Sequence, residues 1–224
     1  MKNPKIFIAC DTSSTKKINR IFREAEKVKK NFGYKFGLEF LNSKNGRRFI
    51  LKHKNKITFG DYKLADIPNT CASTIKAVKD LKFNYITIHL SAGLEALKAA
   101  KKVSGTTKLI GVTILTSLNN RTLKEIGFQK DLKKLVLHQA KLAVKANLDA
   151  IVCSPHEIKT VKKVFNKEII TPGVRFTSDK RNDQKRVMSP KNAFLNGATS
   201  IVMGRSIING NLKKNIQKLL KELS

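Results

Sequence analysis

Ile57-Thr58-Phe59-Gly60-Asp61-Tyr62-Lys63-Leu64-Ala65-Asp66-Ile67-Pro68-Asn69-Thr70 passes from a strand-like apolar run, through three charged residues, to a proline that opens a helix-period segment. If Ile57 to Tyr62 is a strand, its side chains alternate with period two, so Asp61 and Lys63 go to one side and Asp66 lies one loop turn further on. Two carboxylates around one ammonium fix each other's protonation: the acids stabilise the charged lysine, and the lysine keeps both acids ionised. A lysine so held and aimed at a substrate atom can donate a proton. The same D-x-K-x-x-D spacing also describes a plain salt bridge at a strand end, so the surrounding sequence has to decide.

Outward from this segment, short apolar runs alternate with longer amphipathic ones along the whole chain. The expected strands are Ile6 to Cys10, Tyr34 to Phe36, Ile57 to Tyr62, Tyr85 to Leu90, Leu109 to Leu115, Ala150 to Cys153, Ile169 to Thr171 and Ser200 to Met203. Helix-period stretches fall at Ile18 to Val28, Cys71 to Leu81, Leu94 to Val103, Leu132 to Ala146, Ile158 to Phe165, Pro190 to Asn196 and Leu212 to Leu223. Eight strands alternating with such stretches, a strand-helix unit about every 28 residues, predict an α/β chain folded as one (β/α)8 TIM barrel domain over residues 1–224. The structural alternative is an open doubly wound sheet. Its nucleotide fingerprint, G-x-G-x-x-G after the first strand, is replaced here by Asp11-Thr12-Ser13-Ser14.

A barrel places its active site at the C-terminal ends of its strands, so polar residues should stand where the apolar runs stop. They do: Asp11 after the first run, Lys35 in the second, Asp61 and Lys63 at the third, His89 and Ser91 at the fourth, then Thr116 with Ser117, Ser154, Arg175 and Gly204-Arg205. Ser13, Ser154 and Ser189 read as helix caps or turn residues. At the eighth strand Gly204 lets a ligand oxygen approach the backbone, the following helix offers N–H groups and Arg205 can fork onto a dianion, which points to phosphate. The polar loop Thr177 to Arg186 is too long for a tight connection and reads as a lid, with Gln184 able to cap the phosphate.

Composition bounds the rest. Apolar runs such as Ile6 to Cys10 fall far short of the ~18 residues of a membrane span, so no membrane partner is expected. Met1-Lys2-Asn3-Pro4 leads into a strand rather than a signal-peptide core, and Cys10, Cys71 and Cys153 form no C-x-x-C pair, so neither a zinc site nor a disulfide framework is suggested and a reducing cytoplasm is expected. The formal charge is +30, from 46 Lys and Arg against 16 Asp and Glu. The lysines are scattered over nearly every expected helix, aromatics are few and no RNA- or DNA-binding motif is present, so a solvated basic surface is the reading and nucleic acid is not the expected partner. His53, His89, His138 and His156 are scattered and unpaired in motif; His89 alone lies near the expected barrel mouth.

The pieces Ile8-Ala9-Cys10-Asp11, Lys35-Phe36-Gly37, Asp61 to Thr70, Gly111-Val112-Thr113-Ile114-Leu115-Thr116-Ser117, Thr171-Pro172-Gly173-Val174-Arg175, Asp183-Gln184-Lys185-Arg186-Val187-Met188-Ser189-Pro190 and Gly204-Arg205 resemble, in order and spacing, the orotidine 5′-phosphate decarboxylase family of bacterial type, nearly end to end. The resemblance implies decarboxylation of orotidine 5′-monophosphate to uridine 5′-monophosphate in de novo pyrimidine synthesis, with neither cofactor nor metal. It implies that Lys35, Asp61, Lys63 and Asp66 form an alternating charge network, with Lys63 protonating C6 and Asp61 against the departing carboxylate. It further implies that Asp11 and Thr70 contact the ribose region, Thr116 and Ser117 the pyrimidine edge, and Arg175, Gln184, Gly204 and Arg205 the phosphate side. A homodimer is implied too, with Asp66 and Ile67 entering the partner's site. Phe176 and Ser206 depart from the family where proline is common.

Two rival readings stand against this one. Metal-dependent 3-keto-gulonate-phosphate decarboxylases and hexulose-phosphate synthases share D-x-K-x-x-D but carry an acidic residue on strand 2, where this chain has Lys35, whose ammonium repels a divalent cation. A basic nucleic-acid-binding barrel that has lost its activity is opposed by the complete set of charged residues.

Overall fold

The computed structural model describes residues 5–28, 31–177, 179 and 187–224. The strands are β1 (Lys5–Ala9), β2 (Phe32–Phe36), β3 (Ile57–Leu64), β4 (Tyr85–His89), β5 (Lys108–Val112), β6 (Ala150–Val152), β7 (Glu168–Thr171) and β8 (Ser200–Met203). Each pairs in parallel with the next, and β8 closes on β1 through pairs such as Ile6 with Ile201, so the eight make a closed barrel. The open-sheet alternative is thereby excluded.

The helices are α1 (Thr15–Glu26), α2 (Leu38–Leu41), α3 (Gly46–Lys52), α4 (Pro68–Ala77), α5 (Leu94–Val103), α6 (Asn120–Glu125), α7 (Leu132–Lys145), α8 (Ile158–Lys162), α9 (Pro190–Leu195), α10 (Arg205–Ile208) and α11 (Leu212–Leu223). Sequence dictates their ends and faces. In α1 the buried Ile18, Ile21, Phe22 and Ala25 follow helical spacing, and Ser14, rather than Ser13, caps it by accepting from the Lys17 N–H. Asp131 and Asn211 cap α7 and α11 in the same way, and Ser189 caps α9, where Pro190 takes the first-turn place that needs no N–H donor. Ser154 caps no helix; its N–H donates to the Glu157 carboxylate in a turn before α8. Strand 5 is shorter than expected: it ends at Val112, whose pairing with Val152 is closed by the Thr113 N–H donating to the Val152 carbonyl at 3.1 Å.

Period-two alternation sorts the side chains of each strand between the barrel interior and the helical shell. The interior is filled by Phe7, Ala9, Phe59, Tyr85, Ile110, Ala150, Ile170 and Val202. Phe7 meets the rings of Phe59 and Tyr85 edge-on, with both centroid distances 5.3 Å. Gly33 makes room for this stack, since a Cβ there would lie 2.5 Å from the Phe7 ring. Below, the Tyr85 hydroxyl donates to Glu168 Oε2 at 3.1 Å, and Lys108 pairs with the same carboxylate. The barrel is therefore plugged below its mid-level. Interior positions one step further along the strands are Asp11, Lys35, Asp61, Thr87 and Gly204, which turns the C-terminal end polar.

Candidate active site

On β1 to β3 the interior rows end in charge. Lys35 pairs in register with Ala9 on one side and Phe59 on the other, so its side chain rises from the apolar plug toward the mouth. Its Nζ donates to Asp11 Oδ1 and to Asp61 Oδ2, both at 3.1 Å. Lys63 Nζ donates to the same Asp61 oxygen at 2.8 Å, and the Thr87 hydroxyl donates to Asp61 Oδ1 at 3.1 Å. The result is an alternating chain, Asp11, Lys35, Asp61, Lys63. Gly37 stands beside it because a Cβ there would come within 3.0 Å of Asp11 Oδ1.

The charges hold each other in place. Burial works against the ammonium of Lys35, but the carboxylates of Asp61 and Asp11 outweigh it and lift its pKa above the ordinary lysine value. Burial likewise opposes ionisation of Asp61, and the cations of Lys35 and Lys63 overcome it, holding the carboxyl below the usual range. Both groups stay charged at neutral pH. His89, at the end of β4, is held below its ordinary value first by burial and then by the Lys63 cation, so it is neutral at pH 7.

Lys63 has φ of +49°, a left-handed conformation that costs a non-glycine residue on the order of 1 kcal/mol. The cause is a register shift. Gly60 pairs with Ile86 and Leu64 with Ile88, so Asp61, Tyr62 and Lys63 bulge opposite Thr87 alone. The bulge keeps Asp61 and Lys63 on one side, as the alternation predicts, and brings the lysine ammonium back onto the carboxylate.

This chain of charges forms one wall of a cavity of about 470 Å³. Val112, Ile114 and Val152 supply apolar walls, Thr116 lines it, and Arg175, Gly204, Arg205 and Ser206 lie in the wall contributed by β7 and β8. Arg175 is buried and pinned by its N–H to the Met188 carbonyl at 3.0 Å. Phe176 packs into the core with Lys218 Nζ 4.3 Å above its ring, which accounts for an apolar residue in this loop. The Ser206 hydroxyl is buried without a hydrogen-bond partner among the described residues.

Of the residues expected at the site, the fold brings together Asp11, Lys35, Asp61, Lys63, Thr116, Arg175, Gly204 and Arg205. Ser117 is exposed and outside the cavity lining. Asp66, Ile67 and Thr70 are exposed as well, and Asp66 Oδ1 accepts from the Ile67 N–H rather than from Lys63. Among the described residues the ammonium of Lys63 therefore does not stand between two carboxylates; instead Asp61 stands between two ammoniums. Gln184 and most of the expected lid lie outside the described residues. Thr87 is the polar contact that sequence reading missed. Its signal was a threonine in the Tyr85-Ile86-Thr87-Ile88-His89 strand, on the same side as the interior Tyr85.

A closed parallel barrel with alternating charges at the C-terminal mouth, the buried Asp61 among them, and arginines across the cavity is a (β/α)8 protein whose site suits an anionic ligand. A model of the orotidine 5′-phosphate decarboxylase / HUMPS family matches residues 4–218, and the chain belongs to that family. It is 41% identical to the orotidine 5′-phosphate decarboxylase of Wolbachia sp. subsp. Brugia malayi, over 99% of this chain and 100% of that one. It is 37% identical to the protein of the same name from Carboxydothermus hydrogenoformans, over 98% and 95% of the two chains. The crystal structure of orotidine 5′-phosphate decarboxylase from Lactobacillus acidophilus superposes with a TM-score of 0.82 at 28% identity, covering 99% of each chain. No helix among the described residues is long and apolar enough to cross a membrane.

Proposed function

We propose that this chain decarboxylates orotidine 5′-monophosphate to uridine 5′-monophosphate, in pyrimidine biosynthesis, by electrostatics and one proton transfer and with no cofactor or metal. The observation that carries the reading is the ordered chain Asp11, Lys35, Asp61, Lys63 in a cavity whose other wall includes Arg175 and Arg205. The bond from C6 to the carboxylate breaks, its electron pair stays on C6 and CO2 leaves. The Lys63 ammonium, held by Asp61 at 2.8 Å, stabilises the growing negative charge and gives C6 its proton, and is recharged from solvent. Asp61 lies against the departing carboxylate, and Lys35 keeps Asp61 ionised.

Asp11 and Thr70 act at the ribose, Thr116 and Ser117 at the pyrimidine edge, and Arg175, Gln184, Gly204 and Arg205 at the phosphate. A homodimer fits the exposed strip Asp66 to Thr70, in which Ile67 keeps 66% of its surface open: these residues are free to enter a partner's site. Three buried cysteines without disulfides suit a reducing cytoplasm. The metal-dependent members of the family group are disfavoured by Lys35, whose ammonium bridges the two carboxylates that a divalent ion would otherwise engage.

The test is the ultraviolet absorbance of orotidine 5′-monophosphate mixed with the protein, with and without a chelator. The substrate band should disappear at the same rate in both. No loss, or loss abolished by chelator, would overturn the reading in favour of the metal-dependent sugar-phosphate enzymes.

A further inference from the structure

We propose that Thr87 is a positioning residue for the decarboxylation, a single hydroxyl that sets both the rotation of the Asp61 carboxylate and the strained backbone of Lys63. The inference rests on the decarboxylase reading above.

Between the ladder pairs Gly60 with Ile86 and Leu64 with Ile88, β3 carries Asp61, Tyr62 and Lys63 while β4 carries only Thr87. The Lys63 N–H at this bulge donates to Thr87 Oγ1 at 2.8 Å, so a side chain takes the acceptor role of the ladder carbonyl. The same hydroxyl donates a hydrogen bond to Asp61 Oδ1 at 3.1 Å. One donor and one acceptor are thus used, in a residue with no solvent exposure.

The two bonds have different consequences. Asp61 Oδ2 already receives Lys35 and Lys63, and the bond to Oδ1 is what stops the carboxylate turning about its last torsion. The bond to the Lys63 amide supports a left-handed residue, φ +49°, whose ammonium reaches Asp61 at 2.8 Å. Thr87 touches neither the cavity nor any group that reacts. It acts through two residues that do.

The experiment compares Thr87→Val, which keeps the shape and loses the hydroxyl, with Thr87→Ser, which keeps the hydroxyl, measuring kcat, KM, affinity for uridine 5′-monophosphate and the pH dependence of kcat. Thr87→Val should lose about 10- to 100-fold in kcat, from stranding a buried donor and acceptor, with KM and product affinity close to wild type. Its acid limb should move to higher pH, because a hydrogen bond favouring the ionised Asp61 has gone. Thr87→Ser should restore both. An unchanged kcat in a folded Thr87→Val, a Thr87→Ser as slow as Thr87→Val, or kcat and product affinity falling together would each overturn the proposal. If Thr87→Val does not fold, Thr87→Ala takes its place; failure of both to fold beside a folded Thr87→Ser would assign the hydroxyl to stability and overturn it too. Wild-type protein run in parallel separates the two claims: a wild type that does not turn over the substrate defeats the decarboxylase reading, and with it the ground for this one.

Discussion

Replacing Asp61 with asparagine removes the one negative charge between two lysines while preserving shape. Asp61 is 7% exposed and accepts from Lys35 at 3.1 Å, Lys63 at 2.8 Å and Thr87 at 3.1 Å. Removing one partner of a buried ion pair typically costs about 3–5 kcal/mol. Two features place this site at the lower end. Lys35 keeps Asp11 at 3.1 Å, and the Lys63 side chain, 33% exposed, can reach water. A loss of about 3 kcal/mol in a chain of this length lowers Tm by roughly 6–12 °C. The pH dependence gives a second reading of the same interaction. Asp61 has its folded pKa below the unfolded value, so its stabilisation is complete above the unfolded value of about 3.9 and is lost as pH falls through the folded one. Thermal and urea unfolding of wild type and Asp61→Asn from pH 7 to pH 3 should show a gap that is full at neutral pH and narrows in acid. A gap under about 2 °C at pH 7, less than the melting shift of 1 kcal/mol, or one that does not change with pH, would refute the argument that Asp61 is stabilised by its two cations.

Arg205→Ala should raise KM for the phosphate-bearing substrate by about 10- to 100-fold, the worth of one charge-assisted contact, and steady-state kinetics would expose the error if KM stayed put. Because the chain carries a formal charge of +30 and the substrate is multiply anionic, kcat/KM should fall as salt rises while kcat changes little; a flat salt profile contradicts electrostatic steering. Gly33→Ala should destabilise by about 1–3 kcal/mol, since the new Cβ meets a Phe7 ring held between Phe59 and Tyr85, and an unchanged melting temperature would show that the barrel interior yields more than its packing suggests.

The barrel was legible because its strands are short apolar runs separated by amphipathic ones, and because polar residues stand at their C-terminal ends. What alternation reports is a side, not a partner. It put Asp61 and Lys63 together correctly, yet it could not tell that Lys63 would turn left-handed at a bulge, since nothing in a lysine signals positive φ. Asp11 was legible as a mouth residue and not as the partner of Lys35, which depends on the register between β1 and β2. The four-residue helices α2 and α10 are too brief to show a period, and α6, which a capping box at Asn119 starts, buries only Leu123 and so carries a weaker pattern than α7. Ser14 rather than Ser13 caps α1, its side chain accepting from the Lys17 N–H, and two adjacent serines before a helix cannot be told apart by residue type.

The rate of orotidine 5′-monophosphate turnover by Lys63→Ala, with affinity for uridine 5′-monophosphate measured on the same preparation, tests the central claim most directly. On the proposed role of Lys63 as proton donor and as the cation at the reacting carbon, its loss should lower turnover by at least ~10³-fold while the product still binds. Substantial turnover by that variant, with binding intact, would contradict the assignment of Lys63 as the group that delivers the proton.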